Sequence, residues 1–163
     1  MKKSVIAVLM AGAMLLNAGA LFAQETMKLS VDDQQIKLLR QDLRSQKKQF
    51  AATNMQLTEA EALKFWPVYD EYTAETDKII ETRVAMIKEY SGNYETMSDA
   101  QAQSLIKRWL ETDDAEVQLR LKYIPIFSKV LPDKKTARFF QIDRRLGMLI
   151  DVQVMSAIPL VQP

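Results

Sequence analysis

Neither cysteine nor histidine occurs anywhere in the 163 residues, and each absence closes off a kind of chemistry. Without cysteine there is no disulfide and no acylated anchor, so the fold must be held by packing alone. Without either residue the usual ligands for zinc, copper and nickel are missing, as are the Ser–His and Cys–His pairs of nucleophilic catalysis. The aspartate pairs Asp32-Asp33 and Asp113-Asp114 lie in no glycine-turned loop of the kind calcium requires. The other carboxylates sit among basic residues at helical spacing, which marks solvated helix faces rather than a glycosidase pair. Neither a metal, a cofactor nor an enzyme activity is expected. Glycine is scarce too: there are four, and only Gly92 and Gly147 lie beyond residue 23. No stretch alternates apolar and polar residues for long, so the expectation is an all-α fold.

What is present begins with a short cationic start, Met1-Lys2-Lys3, followed by the uncharged stretch 4–23 with its apolar run 5–10. Small residues gather at Ala18-Gly19-Ala20 and again at Ala23, just before Gln24-Glu25-Thr26. A basic region, an apolar region and a small-residue end are the parts of a secretory signal. Cleavage is expected after Ala23, with Ala18-Gly19-Ala20 as the second candidate. A spanning helix needs about 20 apolar residues, and Asn17 with two glycines interrupts this one. The reading is therefore a periplasmic protein with a single helical domain over residues 24–163. Its net charge of +1 falls by two, to −1, once Lys2 and Lys3 are removed. That balance argues against nucleic acid as a partner, since such domains are strongly basic.

Four helices are expected. The first spans about 31–53, capped by Ser30, with Ile36, Leu39, Leu43 and Phe50 on one stripe and Arg40, Arg44, Lys47 and Lys48 making its second half basic. Leu57-Thr58-Glu59-Ala60-Glu61 is a capping box that starts the second: the Thr58 hydroxyl and Glu61 carboxylate each serve the other's backbone N–H. This helix carries Phe65, Trp66, Tyr69, Tyr72, Ile79, Ile80, Ile87 and Tyr90, is bent by Pro67, and ends near Ser91 at Gly92-Asn93. A second capping box, Ser98 with Gln101, starts the third helix, which carries Leu105, Ile106, Trp109, Leu110, Val117 and Leu121 until Pro125 kinks it and Pro132 stops it. The fourth begins with Asp133 as N-cap, buries Ala137, Phe140, Leu146, Leu149 and Ile150 or their neighbours, and ends near Val154. The proline-bounded apolar tail 157–163 docks on the body, a partner or a membrane.

The segment Leu57-Thr58-Glu59-Ala60-Glu61 followed by Phe65 resembles the LTxxQ signature of the Spy/CpxP family. Ser98 to Gln101 looks like a degenerate copy, and the segment 130–139, with Arg138 and Phe139, is similar to a later motif of that family. The resemblance implies a small periplasmic protein of about four helices, elongated, with long kinked helices, paired as a thin, curved antiparallel homodimer. It also implies an ATP-independent chaperone or a modulator of an envelope-stress sensor kinase. Glu61 stands where the signature has Gln and no histidine is present, so the zinc-responsive role found in the family is not carried over. The motif residues Leu57, Thr58, Glu61, Phe65, Trp66, Ser98, Gln101, Arg138 and Phe139 read as caps and core.

A chaperone without ATP holds unfolded or envelope proteins by long-range charge and shallow apolar contact. The candidate surface is Arg40, Arg44, Lys47 and Lys48 beside Phe50, and methionines would suit adaptable contacts. The alternative is a peripheral membrane or envelope structural protein lying on lipid through its tail and amphipathic helices. A mature charge near neutrality speaks against strong attraction to anionic lipid.

Overall fold

α-Helices start most readily where a side chain satisfies backbone N–H groups that the first turn leaves without intrahelical partners. The computed structural model, which describes residues 33–161, has four helices among them, α1 (Asp33–Met55), α2 (Glu59–Asn93), α3 (Asp99–Ser128) and α4 (Asp133–Ala157). All four belong to one unit spanning 31–163. The expected signal segment with its cleavage near Ala23, the Ser30 cap, and the side chains of Ile36 and Leu39 lie outside the described residues.

Both capping boxes form. Thr58 N–H donates to Glu61 Oε2 at 2.7 Å and Glu61 N–H to Thr58 Oγ1 at 3.3 Å. At α3, Ser98 N–H donates to Gln101 Oε1 at 2.9 Å and Gln101 N–H to Ser98 Oγ at 3.4 Å. Thr58→Ala is expected to cost about 1 kcal/mol, the usual worth of such a cap, read as a lower urea midpoint at unchanged slope. α4 departs from expectation. Pro132, not Asp133, is its N-cap, and its carbonyl accepts from Lys135 N–H at 2.8 Å and Thr136 N–H at 3.0 Å. Asp133 is the first helical residue, where its charge faces the positive end of the helix dipole.

α2 is 35 residues long, about 52 Å at 1.5 Å per residue. It continues as helix through Pro67, and α3 continues through Pro125. Each proline deprives one carbonyl, that of Leu63 or Leu121, of its helical donor. Leu63 and Leu121 are both solvent-exposed, where water can serve that carbonyl.

The helices run up-down-up-down. α2 and α3 form an antiparallel hairpin whose rungs are Glu89–Arg108, Arg83–Asp113 and Glu75–Lys122. α4 returns along α3 with Arg120 on Asp143 and Phe127 on Phe139. α1 runs antiparallel to α2, joined to it by Arg40–Glu81, Arg44–Asp77 and Lys48–Asp70. The turn between α1 and α2 passes through Gln56 at φ 50°, a left-handed conformation costly for a residue with a Cβ.

The core is aromatic and sits toward one end. Phe65, Phe127 and Phe139 are almost wholly buried, with Phe127 and Phe139 centroids 4.4 Å apart and Phe65 5.5 and 5.4 Å from them. Tyr69, Tyr72, Tyr123 and Ile142 complete this cluster, and Met55 and Ala51 bring α1 onto it. In α1 the expected stripe is displaced: Leu43 and Phe50 are partly exposed, while Ala51 and Met55 are buried. In α4, Ala137 and Leu149 face solvent and their neighbours Thr136, Phe139 and Ile142 are buried instead. The inward face is set by Phe139, which fits between Phe65 and Phe127, and a rotation that buried Leu149 would take it out.

Candidate functional site

The basic residues of α1 do not form a free cationic patch. Arg40 Nη2 donates to the Asp77 carbonyl at 3.2 Å and to Glu81 Oε1 at 3.3 Å, and Arg44 pairs with Asp77. Lys48 Nζ donates to Asp70 Oδ1 at 2.6 Å and lies 5.3 Å from the Trp66 ring, a cation–π distance. These three residues hold α1 against α2. Lys47, which lines the space between α1, α2 and α4, is half-exposed and has no acid partner among the described residues, and Phe50 lies half-exposed nearby along the helix.

The motif residues converge on one corner. Phe65 is buried against Trp66, Phe127 and Phe139, with Leu57 packed on the same cluster. From the start of α4, Lys135 Nζ donates to the Gln56 carbonyl at 2.9 Å and to Glu61 Oε2 at 2.5 Å. Arg138 Nε donates to the Asn54 carbonyl at 2.7 Å, satisfying one of the carbonyls that the end of α1 leaves open. The hydrogen bond from Lys135, followed by that from the Thr58 backbone, holds the Glu61 carboxyl below its ordinary range. Ser98 and Gln101 cap the far end of the hairpin. The corner is thus a clamp on the α1–α2 turn.

A second set of charges and phenols is paired between helices. Arg83, with its side chain 13% exposed, reaches Asp113 at 2.8 Å and Glu116 and Asp151 at 3.5 Å each. Tyr72 O–H donates to Asp143 Oδ2 at 2.9 Å and Tyr123 O–H to Glu75 Oε1 at 2.8 Å. Burial, and then the neighbouring carboxylates, push the Tyr69 and Tyr123 phenols up to about 12, and Tyr72 higher still. Each stays protonated in the fold while its unfolded counterpart ionises near 10. Stability is therefore complete below pH 10 and is expected to fall between about pH 10 and 12. Absorbance at 295 nm should rise for these phenols together with loss of helical ellipticity, not ahead of it.

Two apolar features remain, and sequence reading missed both. The first is a narrow slot of about 180 Å³ between α1, α2 and α4, lined by Leu43, Ile80, Val84, Ile142, Leu146 and Ile150 among others. The second is on the outside. Ile106, Leu110, Val117, Leu121 and Ile124 of α3 are exposed, Leu110 at 59%, and at 100° per residue they fall within one narrow stripe. On α4, Met148, Val152 and Met155 do the same. The 4-7-4-3 spacing on α3 was the available signal, but Leu105, Leu119, Tyr123 and Phe127 offer a second, equally helical face, and those turn inward.

The tail is tied to the body: Tyr90 O–H donates to the Pro159 carbonyl at 2.7 Å, while Leu160 projects outward. No described helix is long and apolar enough to cross a membrane. No protein-family model, curated protein or solved structure matches this chain.

Proposed function

We propose that this is an exported, non-enzymatic binding protein of the periplasm, an ATP-independent chaperone or envelope-stress adaptor that holds unfolded or partner protein on its helical surface. The observation that carries the reading is the outward apolar stripe of α3. Five large aliphatic side chains in line on an exposed face form the kind of patch that soluble proteins reserve for interaction. Lys107, Glu111 and Asp114 lie beside it on exposed turns of the helix, so charges of both signs flank a shallow apolar strip. Such a surface suits weak, adaptable capture of many chains. In the homodimer that belongs to this proposal, clients lie across the stripes of both copies.

The test is light scattering by a chemically denatured client diluted into buffer. At equimolar protein, scattering is expected to fall by at least half. The double variant Leu110→Glu/Leu121→Glu, which changes only exposed positions, is expected to lose most of that effect while keeping its helical spectrum. No suppression by the unaltered protein would sink the reading.

A second reading has its own observation. The exposed Met148, Leu149, Val152 and Met155 continue into Leu160 and Val161, an apolar strip that suits a membrane surface. Flotation with vesicles, lost on deleting residues 157–163, would favour that peripheral role.

A further inference from the structure

We propose that the outward face of α4 docks on an anionic phospholipid surface. Arg144 and Arg145 meet the lipid phosphates, and Met148, Leu149, Val152 and Met155 enter the apolar layer beneath. The inference rests on the peripheral reading of that strip and adds to it a lipid class and the residues that select it.

The order of residues along α4 comes first. At 100° per residue, Lys134, Arg144, Arg145, Met148, Val152 and Met155 share one side of the helix, and all six are exposed. That side is divided. Its first half is cationic and its second half is apolar, with the arginine pair at the border. Arg144 is four residues before Met148 and Arg145 four before Leu149, so each guanidinium stands one turn from the first apolar side chains. The strip from Arg144 to Met155 is about 16 Å long at the helical rise. A hydrocarbon core is about 30 Å thick, so this face lies in the surface layer and does not span.

Charge commits the face to anionic lipid. Residues 134–161 hold five cations, Lys134, Lys135, Arg138, Arg144 and Arg145, against two acids. Both acids are held by the body, Asp143 by Arg120 and Asp151 by Arg83. Lys135 and Arg138 are engaged at the α1–α2 turn. The side chains of Lys134, Arg144 and Arg145 have no ion pair or hydrogen bond among the described residues. The near-neutral charge of the mature chain therefore conceals a local excess at the edge of the apolar strip. Guanidinium groups bind phosphate through paired N–H donors, and attraction to an anionic leaflet adds to the burial of apolar side chains. A lipid surface needs no matching groove, only an apolar face bordered by cations, and methionine side chains adapt to it. The tail keeps the same character: with the Pro159 carbonyl tied to Tyr90, Leu160 and Val161 are exposed beyond the helix end.

The experiment uses the absence of cysteine. Val152→Cys, at a position 68% exposed, carries a polarity-sensitive dye on the full-length chain. Its emission reports α4 itself even where the N-terminal apolar run binds the vesicle. With vesicles of phosphatidylcholine and phosphatidylglycerol the emission is expected to shift to the blue, and with phosphatidylcholine alone to stay unchanged. Adding Arg144→Gln and Arg145→Gln, both at exposed positions, should reduce the shift by more than half with helical content retained. The same dye at Leu110→Cys on α3 should stay in its aqueous range. The inference is overturned if both compositions shift the dye at position 152 alike, in which case the peripheral reading stands without a lipid preference. No shift with either composition overturns both. The inference also falls if the arginine variant shifts as far as the unaltered pair, or if the dye at position 110 shifts as far as that at 152. Suppression of aggregation is read separately, so the capture proposal stands or falls on its own assay.

Discussion

Replacing Phe139 with alanine is expected to remove about 3–5 kcal/mol of stability, the range for truncating a fully buried ring. Phe139 is 2% exposed and its ring meets Phe65, Tyr69, Tyr72, Phe127 and Phe140 at centroid distances between 4.4 and 5.9 Å. Those neighbours come from α2, α3 and α4, so none can close the hole without moving a helix, and an unrelaxed cavity adds to the lost transfer energy. Edge-to-face geometry contributes further, since Phe65, Tyr69 and Tyr72 stand at 72–79° to the Phe139 ring. With total stabilities of roughly 5–15 kcal/mol for domains of this kind, one ring accounts for a large share. Urea titration is the measurement: the midpoint should drop steeply at constant slope. A change within about 0.5 kcal/mol would mean that these aromatic residues do not pack as described.

The second large effect is expected at Arg83. Arg83→Met keeps the length and apolar volume of the stem but leaves Asp113, Glu116 and Asp151 without their shared cation. Breaking a buried pair costs about 3–5 kcal/mol because a charge is left uncompensated. Asp113 and Asp151 are half-exposed and can be rehydrated, so the lower end, about 3 kcal/mol, applies here. The informative variant is the double one. Adding Glu116→Gln neutralises the least exposed of the three acids and should recover about 1 kcal/mol or more of the loss, a coupling that independent sites do not show. Arg44→Ala, by contrast, breaks a pair with a largely exposed arginine and should cost less than about 1 kcal/mol.

How much of this could be seen in the sequence depends on the range of the interaction. The caps at Thr58 and Ser98 were legible because partner and donor are three residues apart, and the helices that follow begin where those boxes place them. The all-α class followed as directly from the lack of glycine and of alternation. Ionic partners were not legible. Arg40, Arg44 and Lys48 formed a cationic cluster in sequence, while Asp70, Asp77 and Glu81, which neutralise them, lie on another helix 22 to 41 residues away. Asp133 carries the better capping side chain, yet Pro132 takes the N-cap position and Asp133 becomes the first helical residue. The two faces of α3 could not be ranked locally, since both carry aliphatic residues at helical spacing. Only the packing of Phe127 against Phe139 decides which one turns inward. The slot had no local signal, because it arises from how α1 stands against α2.

The uneven placement of the aromatic rings has a dynamic consequence. Phe65, Tyr69, Tyr72, Tyr123, Phe127 and Phe139 all secure the same end of the helices, whereas at the opposite end a phenol, Tyr90, fastens the tail through the carbonyl of Pro159. Such a molecule behaves like a bundle of rods bolted at one end and tied with thread at the other. Thermal opening begins at the tied end and dies out toward the bolts, so backbone amides near the α2–α3 turn exchange with solvent through small local openings while those around Phe127 wait for global unfolding. The molecule thereby combines give at one extremity with a fixed frame at the other.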